Sequence, residues 1–146
     1  MNVTITAKSI VNPTEDEAKV QRALRNLFPS ASLVRTSSPE DHVTLRFRGE
    51  GIDSLSTIRN LIRQGRIRSA ARSILLSRAR SGRIQFWLNK QVAFVGRISF
   101  CESEGESPHG PVTVEIEAPD VQMVIDYLAS EHRQTPGGRF TASGRR

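Results

Sequence analysis

The sequence predicts an α+β fold, a two-layer sandwich in which a mostly antiparallel sheet carries helices on one face. Two observations lead to this prediction. Every long strand segment alternates apolar and polar residues, which indicates a sheet with one covered face and one open face. Other segments carry apolar residues at helical spacing and would form the covering layer. The predicted order is β-α-β-β-α-α-β-β-β-α.

Six strands follow from alternation and from the turn residues that bound each segment. They are predicted at residues 2–8, 33–35, 42–48, 83–88, 92–100 and 112–118. Their apolar positions should share one buried sheet face. We expect that face to hold Val3, Ile5, Val43, Leu45, Phe47, Phe86, Phe94, Ile98, Phe100, Val114 and Ile116.

Four helices are predicted between and after these strands. The first starts after Asn12-Pro13 and ends before Pro29, because a residue that precedes proline avoids helical angles. Two central helices follow, one starting at Asp53 or Ser54 and one spanning about 67–79, and Gly65 interrupts or terminates the first of them. The last helix opens at Pro119-Asp120.

Residues 83–100 are predicted to form a β-hairpin. The alternation of side chains between the two sheet faces determines the length of its loop. A three-residue loop, Asn89 to Gln91, places Phe86 opposite Phe94 on the covered face. On the outer face this register sets three cross-strand pairs. They are Trp87 with Ala93, Gln85 with Val95, and Arg83 with Arg97.

Length and composition indicate the number of domains, the location and the absence of cofactors that we expect. The 146 residues suit one domain, predicted at 1–132, followed by a basic and disordered tail at 133–146. The single cysteine, Cys101, excludes an internal disulfide framework and favours a reducing, cytoplasmic location. No apolar run is long enough for a membrane helix. Three scattered histidines show no metal-ligand spacing, so no metal or other cofactor is expected.

Charge is distributed in blocks along the chain, which has a net charge of +6. Residues 54–101 carry ten basic and no acidic side chains, whereas residues 102–132 carry eight acidic and no basic ones. Such asymmetry indicates a positive face and a polyanionic partner. The alternative is that the acidic block folds against the basic block and neutralises it.

The arginines of the two central helices are the main candidate RNA-binding residues. Their spacing of three to four residues places them on common helix flanks, and guanidinium groups suit phosphate. The candidates are Arg59, Arg63, Arg66, Arg68 and Arg72. The alternative is a solvated or internally paired helix surface.

The hairpin supplies a second set of candidates. Trp87, flanked by Arg83 and Arg97, could stack an unpaired base. Alternatively, an apolar strip of Trp87, Ala93 and Val95, with Gln85 on the same face, could form a homodimer interface. Asn89, Lys90 and Gln91 would be exposed loop donors for RNA, or simply turn residues.

Several motifs resemble those of a family of small uncharacterised archaeal proteins. The match runs in order from about residue 2 to residue 130. The motifs are Pro13-Thr14-Glu15-Asp16, Asn26-Leu27-Phe28-Pro29, Arg66-Ile67 with Ala71-Arg72, Leu88-Asn89-Lys90-Gln91, Ala93-Phe94, Gly96, Phe100 and Gly110-Pro111. The resemblance implies a predicted RNA-binding protein, with a fold similar to the ribosomal protein that holds 5S ribosomal RNA.

These observations predict a non-catalytic RNA-binding module that contacts RNA by charge and shape. No phosphate loop, GxSxG or HExxH motif is present, and no base, nucleophile and orienting group can be named together. The alternative is a dimeric accessory domain. Some relatives in the resembled group are fused to a domain of the dephospho-coenzyme-A kinase type, so its partner would be a nucleotide-metabolising enzyme.

Overall fold

The computed structural model describes residues 2–30, 32–37, 43–102, 105 and 109–130, and the predicted tail at 133–146 lies outside these residues. The strands of this part are β1 (Thr4–Val11), β2 (Ser32–Ser37), β3 (Val43–Glu50), β4 (Ala79–Arg80), β5 (Arg83–Leu88), β6 (Phe100–Cys101) and β7 (Val112–Glu117). Its helices are α1 (Glu17–Leu27), α2 (Ser56–Gln64), α3 (Arg68–Arg78), α4 (Lys90–Phe94) and α5 (Val121–Leu128). A 3-10 turn at Ile52–Leu55 leads into α2.

The strands form one antiparallel sheet in the order β2-β3-β1-β7-β5-β4, and β6 also pairs with β5. Helices cover one face. We call the other face the open face. It carries Thr4, Thr6, Lys8, Ile10, Val34, Thr36, Thr44, Arg46, Arg48, Glu50, Arg83, Gln85, Trp87, Thr113, Glu115 and Glu117. The predicted α+β class and its two-layer arrangement are confirmed.

The covered face packs against apolar residues of all five helices to form one core. Of the residues predicted there, seven are buried: Val3, Ile5, Leu45, Phe47, Phe86, Val114 and Ile116. Val43 is half-buried at the edge of this core. Alternation therefore identified the buried side of β1, β3, β5 and β7, because helices close one face of the sheet. It was wrong for Phe94, which lies in α4, and for Ile98, which lies outside the strands.

The predicted β-hairpin is wrong after Leu88, because the chain leaves the sheet and forms α4. Asn89 starts this helix, and its side chain accepts a hydrogen bond from the Val92 amide at 2.9 Å. Gly96, with φ of 81°, ends it, and the Arg97 amide reaches back to the Val92 carbonyl at 3.1 Å. The chain returns to the sheet only at β6, so Phe100, rather than Val92, lies opposite Leu88.

This helix separates the residues of the predicted outer strip. Ala93 is buried, and Val95 is 67% exposed beyond the end of α4. Trp87 lies opposite Thr113 and Cys101 instead of Ala93. The apolar strip proposed as a homodimer interface is therefore not formed by these four residues.

Lys90, predicted to be an exposed donor, is 3% exposed. Its ammonium group donates to the Ile10 carbonyl at 2.8 Å, the His109 carbonyl at 3.0 Å and Glu15 Oε1 at 3.0 Å. These three acceptors match the three protons of the ammonium group. The Lys90 ammonium group thus joins α4 to Glu15 ahead of α1, to the end of β1 and to the segment that precedes β7.

Glu15 is held as a carboxylate by its neighbours. Burial by itself would raise the pKa of Glu15, but this effect is outweighed by hydrogen bonds from Asn12 and Lys90 and by the charge of Lys90. The pKa of Glu15 therefore lies below its ordinary value of 4.5. The Asn12 amide and side chain both donate to Glu15 Oε1, at 2.9 and 2.8 Å.

The two edges of the sheet differ. Both β4 and β6 pair with β5 on its outer side, and in the gap between them Arg78 Nε donates to the Gln85 carbonyl at 3.0 Å. The Arg78 guanidinium also lies 4.2 Å from the centre of the Trp87 ring. At the opposite edge, β2 pairs with β3 alone, and most of its side chains are exposed.

Lys90→Met should lower the free energy of unfolding by about 1–3 kcal/mol, because it leaves the half-buried Glu15 carboxylate and two backbone carbonyls without their donor. Urea denaturation would measure the change. Gln91→Ala is the matched control, since Gln91 is an exposed neighbour in the same helix and should change stability by less than about 0.5 kcal/mol. Equal stability of the Lys90→Met variant and the natural protein would contradict this role.

The stabilisation by Glu15 should also depend on pH. A pKa lowered by folding means that the stabilisation is complete above about pH 4.5 and is lost as pH falls through the folded-state pKa. The thermal midpoint of Glu15→Gln should therefore lie well below that of the natural protein at pH 7 and approach it in acid. Glu50→Gln, at an exposed carboxylate, should show a small difference throughout.

Candidate nucleic-acid interface

The junction between α2 and α3 is built by a helix-ending motif in which Arg66 occupies the left-handed position. The Ile67 amide donates to the Ile62 carbonyl at 3.3 Å, and the Arg66 amide donates to the Arg63 carbonyl at 3.2 Å. This is a Schellman pattern, which ordinarily places glycine where Arg66 stands with φ of 57°. Gly65 precedes that position and has ordinary helical angles.

Three arginines meet at this junction, and we call Arg63, Arg66 and Arg68 the basic corner. They border one groove, and its lining is completed by Ile67, Ser69 and Ala70. Arg63 and Arg66 are exposed and have no ion-pair partner within the described ranges. Arg68 is half-buried, and its guanidinium donates to Ser130 Oγ at 3.4 Å.

The first turn of α3 also opens onto this groove. Its N-cap residue is Ile67, which provides no side-chain hydrogen bond. The first amides of a helix have no acceptor within that helix and carry the positive end of its dipole. Guanidinium groups and helix amides in this groove therefore offer the same kind of donor to an anion.

Two of the five predicted helical arginines are used inside the protein. The Arg72 guanidinium donates to Asp126 Oδ1 at 2.8 Å and to the Ala129 carbonyl at 3.0 Å, so it fastens α3 to the end of α5. This hydrogen bond from Arg72 holds the pKa of Asp126 below its ordinary value. The Arg59 guanidinium lies 4.6 Å from the centre of the Tyr127 ring. The five candidate arginines therefore do not form one exposed surface, because Arg63 and Arg66 are exposed whereas Arg59, Arg68 and Arg72 are half-buried.

The other predicted site residues are dispersed. Arg83 forms ion pairs with Glu117 at 2.8 Å and Glu115 at 3.6 Å, and it lies opposite Arg80, not Arg97. One face of Trp87 is covered by Arg78. Gln91 and Arg97 are exposed around α4. The acidic block therefore neutralises part of the basic one, through Arg72 and Arg83.

Sequence reasoning did not select Lys8 and Arg46, which lie side by side on the open face in β1 and β3. Both are exposed. The sequence showed that each of the two residues occupies a polar, outward-facing position of an alternating strand. The pairing that brings them together was not, because the two strands are separated by α1 and β2.

This fold and its charge distribution define a small basic α+β protein with surfaces suited to a polyanion. Among the described residues, no helix combines the length and the apolar character that crossing a bilayer requires. Nor does this part of the chain contain three or more histidine, cysteine or acidic side chains grouped as a metal site.

A family model described as RNA binding matches residues 4–118, and the chain belongs to that family. The chain also belongs to the UPF0201 proteins of archaea. It is 46% identical over 129 residues to a UPF0201 protein of Methanopyrus kandleri, a match that covers 83% of this chain and 80% of the relative. The expected relationship to an uncharacterised archaeal family is thereby confirmed.

Solved structures agree with the fold. A crystal structure of a UPF0201 protein from Methanococcus jannaschii has a TM-score of 0.76 at 29% identity, covering 91% of this chain and 96% of that one. A DUF54 protein from Methanothermobacter thermautotrophicus has a TM-score of 0.59 at 17% identity, covering 88% and 99%. The second likeness concerns the fold alone.

Arg66→Gly should keep or raise the free energy of unfolding, by up to about 1 kcal/mol, because glycine adopts the left-handed conformation without steric cost. Arg66→Ala removes the same guanidinium group but retains the strained conformation, so it should not gain stability. Thermal denaturation of the two variants would compare them. A large loss in Arg66→Gly would show that the side chain contributes to folding.

Proposed function

We propose that this protein is a non-catalytic RNA-binding module and that the basic corner holds the RNA backbone. The observation that carries the proposal is the convergence of Arg63, Arg66 and Arg68 on the open first turn of α3. Membership of a family described as RNA binding supports RNA, among polyanions, as the ligand. A cytoplasmic location belongs to the same proposal.

The chemistry of the corner favours phosphate. Guanidinium groups present planar, permanently charged pairs of donors that match phosphate oxygens. Helix N-termini bind the same group through backbone amides. Such contacts carry no base information, so the corner would recognise charge and backbone shape, with little preference for sequence.

Backbone strain at Arg66 supports a functional reason for its side chain. A non-glycine residue in the left-handed conformation is disfavoured by about 1–2 kcal/mol. Unlike Arg72, which bonds to Asp126 and Ala129, Arg66 has an exposed side chain. An arginine kept at such a position is understandable if it contacts a ligand.

A catalytic role finds no support among the described side chains. Buried Lys90 and its partner Glu15 are occupied by their hydrogen bonds. The one thiol, Cys101, is buried. An activated nucleophile needs an adjacent base that is itself oriented, and these groups do not provide that arrangement.

Changing Arg63 and Arg66 together to Gln should weaken binding to single-stranded RNA of any sequence. The slope of log affinity against log salt should decrease by about 0.7 for each lost phosphate contact, because fewer counterions are released on binding. Fluorescence anisotropy with a labelled oligonucleotide over a salt series would measure both quantities. Thermal denaturation would confirm that the variant is folded.

The matched control is Arg35→Gln combined with Arg48→Gln. Both residues are exposed, and each has an acidic partner, Glu17 at 2.7 Å and Glu50 at 3.9 Å. This control removes the same net charge as the corner variant. Equal losses of affinity in the two variants would assign the binding to overall charge and contradict a site at the corner.

A further inference from the structure

The open face carries its charges unevenly. At one end of the sheet the arginines have acidic partners: Arg83 bonds to Glu117 and Glu115, and Arg48 lies 3.9 Å from Glu50. Towards the other end lie Lys8 and Arg46. Neither forms an ion pair with any residue that the structure describes.

Lys8 and Arg46 are direct cross-strand neighbours, because β1 and β3 pair with Lys8 opposite Arg46. Side chains at such positions leave their strands about 4.5–5.5 Å apart, and like charges there repel. Both side chains are exposed. An anion placed between them would replace this repulsion with two charge-assisted hydrogen bonds.

The pair lies in a shallow cavity of about 390 Å³ on the open face. Thr44 and Thr113 add hydroxyl groups to its lining, and residues 109–111 form one of its walls. The cavity therefore combines two cations with neutral donors, and no acidic side chain lines it among the described residues. This composition suits a phosphate group.

Two exposed aliphatic side chains accompany the pair. Val34 pairs with Arg46 across β2 and β3 and is 56% exposed, and Ile10 lies two residues from Lys8 and is 48% exposed. Apolar groups beside a phosphate site would contact a ribose or the face of an unpaired base. A base-paired duplex would offer them much less, since its bases are stacked inside.

We propose that this cavity binds a backbone phosphate of single-stranded RNA, as a contact separate from the basic corner. The inference rests on the proposed function, because it takes RNA as the source of the phosphate. Little base preference is expected, because contacts to phosphate carry no base information. The one aromatic side chain on the described open face, Trp87, already lies against Arg78, which leaves only its other side for a base.

The test compares two double variants of the full-length protein. Lys8→Gln with Arg46→Gln should weaken binding to a short single-stranded RNA by about tenfold or more. It should also lower the salt slope by about 0.7 per lost contact. Arg48→Gln with Arg83→Gln removes the same charge from the same face, at residues that have acidic partners. This control should change the affinity much less.

Several outcomes would overturn the inference. Equal losses in the two double variants would show a general effect of charge and no site. If RNA binding depends on Arg63 and Arg66 but not on Lys8 and Arg46, the cavity fails while the proposed function stands. If the natural protein binds no RNA, the proposed function itself fails.

Inorganic phosphate distinguishes the source of the ligand. Backbone amide signals of Lys8 and Arg46 in NMR spectra should move when the RNA is added, and they should move less in the Lys8→Gln, Arg46→Gln variant. A response to inorganic phosphate together with no response to RNA would indicate a site for small phosphate compounds and would overturn the assignment to RNA.

Discussion

The ion pair between buried Lys90 and half-buried Glu15 fixes the arrangement of the segments around it. An ammonium group removed from water is tolerated only if its charge and all its protons are matched. Three separate parts of the chain supply the match: the start of the first helix, the end of β1 and the carbonyl of His109. The same segment of residues 109–111 walls the cavity beside Lys8 and Arg46. The hydrogen bond from Lys90 to the His109 carbonyl therefore also positions a wall of the cavity that Lys8 and Arg46 line.

Arginine serves two purposes in the acid-free part of this chain. Arg59, Arg72 and Arg78 lie against Tyr127, Asp126 and Trp87, and they join neighbouring elements. The basic corner instead surrounds a groove at a helix start. Both groups consist of the same residue type, at similar spacing and in one continuous stretch. Their neighbours in space decide which guanidinium groups remain available to a ligand.

Much of the fold could be predicted from the sequence, because the strongest signal, alternation along each strand, is local. Burial of Ile5, Phe47 and Phe86 follows from that signal alone. The failure at residues 89–97 has a local cause too. Val92 and Phe94 continue the alternation of the preceding strand, and this pattern outweighed Asn89 and Gly96, which are a helix cap and a helix terminator.

The candidate site was less predictable because it depends on partners that are distant in the chain. Lys90 resembled an exposed loop residue, since its counterion lies 75 residues away in sequence. In the sequence Arg72 cannot be distinguished from the exposed arginines near it, because its partner Asp126 comes close only in the folded structure. Gly65 also concealed the unusual conformation of Arg66, because a glycine at that point suggested that it would end the helix itself.

The unequal edges of the sheet limit how copies of this chain can associate through their strands. On one side, β4, β6 and the Arg78 guanidinium occupy the hydrogen-bonding groups of β5 that another strand would need. On the other side, no strand among the described residues lies beyond β2. The six-residue β2 therefore offers a longer edge to an added strand than β4 or β6, which are two residues each.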